Sequence, residues 1–297
     1  MTNDPAGVQQ FLSEQKKVLD QLLLEYARGT AAPSTVQESM VYSLNAGGKR
    51  IRPILLLAVL KGYGIPLQKG YRTAAAIEMI HTYSLIHDDL PAMDNDDLRR
   101  GKPTNHKVFG EAAAILAGDA LLTASFQLLT DNQDLLPEQK MSTVKLIARA
   151  AGPSGMIYGQ LLDMESEGKS LTIDELEWIH HRKTGDLLSV ALESGAVIAN
   201  AEQKDKEALS IFGKHLGLAF QIKDDLLDVE GDEAELGKPV GSDEVNEKST
   251  YPQILGVKAA EDKLHFHLQE AKRCLAQLSM EPELLKGLTD YIGYRKS

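Results

Sequence analysis

The chain has 297 residues, 43% hydrophobic and 25% charged, a balance that allows a large folded core in one or two domains and excludes disordered or collagen-like classes. Its formal net charge of −11 argues against general nucleic-acid or anionic-membrane binding, so an anionic ligand has to meet local positive charge. The single cysteine, Cys274, permits neither an internal disulfide nor a thiolate metal cage.

The opening residues lack the basic segment and apolar stretch of a secretion signal. The longest unbroken apolar run, Ile54 to Leu60, is too short to span a bilayer. A cytoplasmic protein with no membrane or nucleic-acid partner is expected. Leu, Ala, Glu, Lys and Gln dominate most segments at helical spacings, and alternating β-branched runs are hard to find, which predicts an all-α chain. Two capping boxes are predicted, at Ser34-Thr35-Val36-Gln37 and Thr172-Ile173-Asp174-Glu175. Breaks fall near Gly62 to Pro66, Pro91, Gly101 to Pro103, Asp131 to Pro137, Gly152 to Gly155, Gly168, Gly231 to Gly241 and Pro282. That punctuation predicts a single helical bundle of about ten or more helices around a central cavity, with residues 1–297 as one domain.

The residues that carry chemistry alternate in sign along the chain. Gly47-Gly48-Lys49-Arg50-Ile51-Arg52-Pro53 places cations after a glycine pair that lets backbone amides approach an anion. The acid cluster His87-Asp88-Asp89-Leu90-Pro91-Ala92-Met93-Asp94 follows. Asp88 and Asp94 would diverge on an unbroken helix, but Pro91 cannot sit in a helix interior, so the helix is expected to end there and Asp94 to fold back toward Asp88. Asp96 and Asp97 read as solvated loop charges. Arg99-Arg100-Gly101-Lys102 forms a second basic cluster, suited to bidentate phosphate recognition. Lys183-Thr184 lies in a helix expected from Thr172. In Phe220-Gln221-Ile222-Lys223-Asp224-Asp225-Leu226-Leu227-Asp228, residues Gln221, Asp224 and Asp228 share one helical face, with Gly217 extending the stripe. Lys238 sits in a loop without Walker spacing, and Lys248 opens Lys-Ser-Thr-Tyr-Pro. Carboxylates without matching His or Cys ligands favour a hard ion such as Mg²⁺ bridging to phosphate oxygens. His81 and His87 do not complete a zinc or iron set.

Taken together, GGKRIRP at 47, DDLPAMD and RRG at 88 to 101, KT at 183, FQIKDDLLD at 220, GKPVGSD at 237 and KSTYP at 248 resemble the trans-isoprenyl diphosphate synthases, in order over nearly the whole chain. Within that family the chain is most similar to bacterial members that form farnesyl diphosphate. The resemblance implies a homodimer of all-helical subunits and a metal-assisted, head-to-tail condensation. Isopentenyl diphosphate would add to dimethylallyl and then geranyl diphosphate by ionisation, condensation and elimination. On that likeness Asp88, Asp89, Asp94, Asp224, Asp225 and Asp228 would hold about three Mg²⁺ ions on the allylic diphosphate. Arg99, Lys183, Thr184, Gln221, Lys238 and Lys248 would line the same substrate, and Lys183, Thr184, Gln221, Asp88 and Asp224 would carry catalysis. Lys49, Arg52, His81 and Arg100 would hold the diphosphate of isopentenyl diphosphate.

Ser84 lies one turn, about 5.4 Å, below Asp88, with Tyr83 beside it. A large aromatic at Tyr83, with two residues added inside the first acid motif, resembles members that stop at fifteen carbons; an ordinary packed aromatic is the other reading. The chain departs from close relatives in carrying Glu247 before Lys248. Its tail ends in Arg295-Lys296-Ser297, two cations that either close over isopentenyl diphosphate or belong to a frayed end. Three alternatives stay open: a geranylgeranyl diphosphate synthase of the same family, a terpene cyclase, and a non-catalytic metal-binding helical module. The last two leave Lys49, Arg52 and Arg100 without a purpose.

Overall fold

Helix α1 (Pro5–Gly29) buries Val8, Phe11, Gln15, Leu19, Leu23 and Ala27, a spacing of three and four that lays one stripe on the core. The computed structural model to which it belongs describes residues 5–30, 34–230 and 249–295. Helix α2 (Thr35–Leu44) starts at Ser34, whose hydroxyl accepts the Gln37 N–H at 3.2 Å. The expected reciprocal half of that box does not form. The Gln37 amide donates instead to the carbonyls of Ala27, Arg28 and Thr30, satisfying acceptors left over at the end of α1. At Thr172 both halves are made, with Glu175 accepting the Thr172 N–H at 2.9 Å.

Helix α3 (Ile51–Gly62) is the centre of the bundle: Ile54 to Leu60 are each 0% exposed, so it is apolar on every face because it has neighbours on every face. Around it pack α4 (Gln68–Asp88), α10 (Asp186–Ile198) and α14 (Glu283–Tyr294). Helix α4 in turn carries α6 (Glu111–Thr130). Helix α10 carries α7 (Pro137–Ala151) and α11 (Gln203–Glu230), and α11 carries α13 (Val257–Leu275). Shorter helices complete the described set of fourteen: α5 (Asn105–Phe109), α8 (Met156–Glu165), α9 (Ile173–His180) and α12 (Tyr251–Leu255). One two-residue antiparallel pair, β1 (Leu98–Arg99) with β2 (Lys102–Pro103), forms the turn after the first acid cluster. The predicted breaks inside the described residues fall between helices, and the one at Gly231 to Gly241 lies outside them.

A buried carboxylate ties the far end of the bundle. Asp205, 0% exposed in the first turn of α11, accepts from the Tyr63 hydroxyl at 2.5 Å, from the Ser279 N–H at 3.2 Å and from the Ser279 hydroxyl. Replacing it strands three donors at the junction of α3, α11 and the loop before α14. Asp205→Ala is expected to cost about 3 kcal/mol and Tyr63→Phe about 1 kcal/mol in urea unfolding.

Candidate active site

The first acid cluster sits where α4 ends. Asp89 closes the last turn onto Leu85, and the chain then reverses through Leu90 to Met93, so that the Asp94 N–H donates to the Asp88 carbonyl at 2.9 Å. The reversal expected at Pro91 is present and brings Asp94 back to Asp88. Burial pushes the Asp88 carboxyl up to about 6, resisted by Lys183 and reinforced by Asp94. Asp89 is 2% exposed and grips Arg99, with Nε at 2.7 and 2.9 Å from its two oxygens and Nη2 at 2.5 Å. Asp96 reaches Arg99 at 3.4 Å and Asp97 pairs with Lys107 at 2.7 Å, so these loop acids are partly exposed but paired.

The second cluster lies near the end of α11. Gln221 accepts from the Thr184 hydroxyl at 3.2 Å and donates to Asp225 at 3.0 Å, while the other Asp225 oxygen accepts the Tyr251 N–H at 3.0 Å. Asp225 and Asp228 are buried and Asp224 is more open. Arg295 lies 2.6 Å from Asp224, donates to the Phe220 carbonyl at 3.1 Å and stacks 4.1 Å over the Phe220 ring. The frayed-end reading of the tail therefore fails at Arg295, which is buried; Lys296 lies outside the described residues.

Lys183 and Thr184 are not in regular helix. Between α9 and α10 the chain makes a π turn, His181–Gly185, a wider turn that places these two side chains toward the site. The Lys183 ammonium is 2.6 Å from Asp163 of α8; burial opposes its charge, but Asp163 and Asp88 outweigh that and hold its pKa above the ordinary value. The turn is seated on glycine: a Cβ at Gly159 would lie 2.2 Å from the Lys183 backbone nitrogen, and one at Gly217 would lie 2.7 Å from the Gly185 Cα. Gly217 thus serves helix contact rather than extending a polar stripe.

The two basic clusters meet. The Arg100 guanidinium donates to the Gly47 carbonyl and packs where a Gly48 side chain would be, at a backbone φ of +126°. Arg52 is 3.3 Å from the His81 ring nitrogen. Burial holds Arg52 below its ordinary pKa against the pull of Glu78 and Asp224, and burial, then Arg295, holds Lys49 down. Burial also keeps the His81 imidazole neutral. Arg50 alone leaves the group. Its left-handed φ of 55° turns it inward, 2.8 Å from both Asp20 and Glu78 and 2.6 Å from the Leu44 carbonyl.

A cavity of about 590 Å³ is lined by the polar Arg52, His81, Asp88, Lys183 and Thr184 together with Tyr83, Leu122, Met156, Leu161, Met164 and Leu187. Ser84 lines it one turn below Asp88. Tyr83, 5% exposed, meets His87 edge to face at 5.7 Å, and His87 is 3.1 Å from the Ile115 carbonyl. Arg52 joins the two acid walls, lining the same cavity as Asp88 while lying within the field of Asp224. Among the described residues no three His, Cys, Asp or Glu side chains form a closed metal cage. An all-carboxylate donor set, with the Asp88 carboxyl held above its usual range by burial and by Asp94, fits an ion that keeps water and shares ligands with a phosphate, as Mg²⁺ does. Lys238 and Lys248 lie outside the described residues. Asp163 and Gln160, both on α8, escaped the sequence reading because GQLLD looks like an ordinary amphipathic helix; the buried Gln160 amide nitrogen, without a partner in the described residues, lines the cavity.

The sequence profile of the polyprenyl synthetase family matches residues 33–284. The chain is 51% identical to the farnesyl diphosphate synthase of Geobacillus stearothermophilus, over 97% of this chain and 98% of that one. It is 50% identical to the farnesyl diphosphate synthase of Bacillus subtilis (strain 168), over 96% and 97%. Its all-α fold matches the solved structure of an FPP/GFPP synthase from Zymomonas mobilis, with a TM-score of 0.87, 31% identity and coverage of 98% of this chain and 100% of that one.

Because the π turn rests on Gly159, a methyl group there has to displace backbone rather than a flexible side chain. Gly159→Ala is expected to lower stability by about 2 kcal/mol and to reduce turnover by more than about tenfold, read from thermal unfolding and steady-state kinetics.

Proposed function

The chain belongs to the polyprenyl synthetase family, and we propose from that premise how its acid walls, basic cluster and cavity divide the work. The chain is a short-chain trans-prenyltransferase of the farnesyl diphosphate synthase kind. Its substrates are isoprenoid diphosphates, which we take to be isopentenyl diphosphate with dimethylallyl and geranyl diphosphate. We assign residues 1–297 to one catalytic domain acting in the cytoplasm.

Asp88 and Asp94 on one side, with Asp224 and Asp228 on the other, would hold the Mg²⁺ ions; Asp89 and Asp225, bound to Arg99 and to Gln221 and Tyr251, support those ligands. Magnesium, when bound, supplies the positive charge that grips the allylic diphosphate and stabilises the departing pyrophosphate. Lys183 and Arg99 add fixed cations on the same leaving group, with Lys238 and Lys248 as further contacts. Thr184 and Gln221 turn oxygen dipoles toward the allylic carbon as its bond to oxygen breaks. Lys49, Arg52, His81 and Arg100 hold the second diphosphate, so that the double bond of isopentenyl diphosphate faces that carbon. The new carbon–carbon bond forms, and the proton lost next passes to the released pyrophosphate. The apolar walls keep water from the cation meanwhile.

One observation carries this reading: Arg52 and His81, which lie 3.3 Å apart, line the same cavity as Asp88, and Arg100 donates to the Gly47 carbonyl of the basic loop just before Arg52. A cyclase needs only the acid walls. Mixing the protein with Mg²⁺, dimethylallyl diphosphate and isopentenyl diphosphate is expected to release pyrophosphate only when both substrates are present; release from the allylic substrate alone would point to a cyclase.

Tyr83 is the floor in this account, packed against His87 beneath Ser84. Tyr83→Ala is expected to shift the main product from fifteen to twenty carbons, raising the C20 to C15 ratio about tenfold by product chromatography; an unchanged farnesyl product removes Tyr83 from that role.

Homodimerisation is supported by α6. It is long and apolar enough to cross a membrane, yet it packs on α4 and α2 and bears exposed Thr123 and Gln127 as well as Ile115 and Leu116, at 43% and 53% exposure. Such a mixed face suits a second protein surface better than lipid. Leu116→Arg is expected to halve the mass seen in sedimentation velocity.

A further inference from the structure

His180 is the last residue of α9, directly before the turn that carries Lys183 and Thr184. It is 7% exposed and stacks on Tyr251, with ring centroids 5.7 Å apart and planes at 20°. Its Nε2 is buried with no hydrogen-bond partner among the described residues and stands 3.9 Å from Asp225 Oδ2, the oxygen that accepts the Tyr251 N–H at 3.0 Å. A buried ring nitrogen without a partner is a standing cost to the fold. Phenylalanine would fill the same stacked position without that cost. The orphan is accounted for by a second arrangement in which the gap shortens by about 1 Å, the difference between 3.9 Å and an ordinary N–H···O contact.

We propose that His180 is a positioning residue that acts through Asp225: when the site is loaded, its Nε2–H closes onto Asp225 Oδ2, completing a second tie between the π turn and the acid helix. The first tie, Thr184 to Gln221 to Asp225, is already made. With both in place, Lys183, Thr184 and the second acid wall move as one unit. The inference rests on reading those acids as the wall that binds metal and diphosphate. His180 also adjoins the exit from α9, whose Trp178, the chain's single tryptophan, stacks 4.4 Å from the Arg182 guanidinium inside the π turn. Movement of the turn therefore has a built-in optical reporter.

The test titrates the full-length protein with Mg²⁺ and inorganic pyrophosphate while following Trp178 fluorescence, in the native chain, His180→Phe and His180→Gln. The native chain is expected to give a saturable change. His180→Phe is expected to need about tenfold more pyrophosphate, and His180→Gln, which restores an N–H donor, to return within about twofold of the native midpoint. The free His180→Phe protein should unfold at a temperature no lower than the native one, because the orphan is gone. An unshifted midpoint in His180→Phe, equal losses in the two variants, or a fall in the melting temperature of free His180→Phe would each overturn the proposal. A native chain that does not respond at all would overturn the metal-wall reading beneath it as well.

Discussion

Removing a carboxylate from water is the constraint around which this molecule is arranged. Asp89, Asp225 and Asp228 are almost wholly buried among apolar helices, where an unpaired charge costs several kcal/mol. Asp89 is compensated by a two-pronged contact with Arg99, and Asp225 by an amide and a backbone N–H. Asp88 is different: its carboxyl is driven up to about 6 because burial and Asp94 together exceed what Lys183 returns. The acids thus fall into two kinds. Asp89 and Asp225 fix the geometry through those contacts, and Asp88, which lines the cavity, carries a charge that burial disfavours and that a divalent ion would stabilise.

Fixing that geometry requires rigid helices in unusual places. Helix α3, apolar on every side, anchors the basic loop at its N-terminus, and the left-handed Arg50 makes the junction. A non-glycine residue in that conformation costs about 1 kcal/mol, which buried contacts to Glu78 and the Leu44 carbonyl and a part-buried one to Asp20 offset. The effect on the site is directional. Arg50 points into the core, while Arg52 is left lining the cavity. Arg100, also left-handed at φ 54°, folds its guanidinium onto the glycine pair from the opposite side.

Much of this was legible in the residues. The apolar period predicts the bundle, Pro91 predicts the reversal that returns Asp94 to Asp88, and the Thr172 to Glu175 box is made in full. The remainder depends on contacts between segments remote in sequence, which local pattern does not encode. Gln37 abandons its own cap because carbonyls at the end of α1 lie nearer. The π turn has no local signature; it reflects the close approach of Gly159, a residue in another helix. Asp163 reads as part of an amphipathic helix until Lys183, twenty residues later, is found beside it. Arg295 reads as a terminal cation until it is seen buried against Phe220 and Asp224.

Two substrates that share the same diphosphate headgroup would have to be told apart, and the proposed sites offer two kinds of binding chemistry for it. Oxygen ligands set at Asp88 and Asp94 call for a metal-bridged phosphate, and bind a bare anion poorly because like charges repel. The cluster of Arg52, Arg100 and Lys49, whose Arg52 and Lys49 charges burial already disfavours, would take an anion directly without a bridging cation. A diphosphate chelated by metal is also the better leaving group, so on the proposed assignment the wall that would select the allylic substrate would also activate the bond to be broken. The guanidinium site, on the same proposal, would bind its diphosphate without that activation and leave isopentenyl diphosphate intact as the nucleophile. In a protein of net charge −11, a local cluster such as Lys49, Arg52 and Arg100 is what an anionic ligand would need to meet.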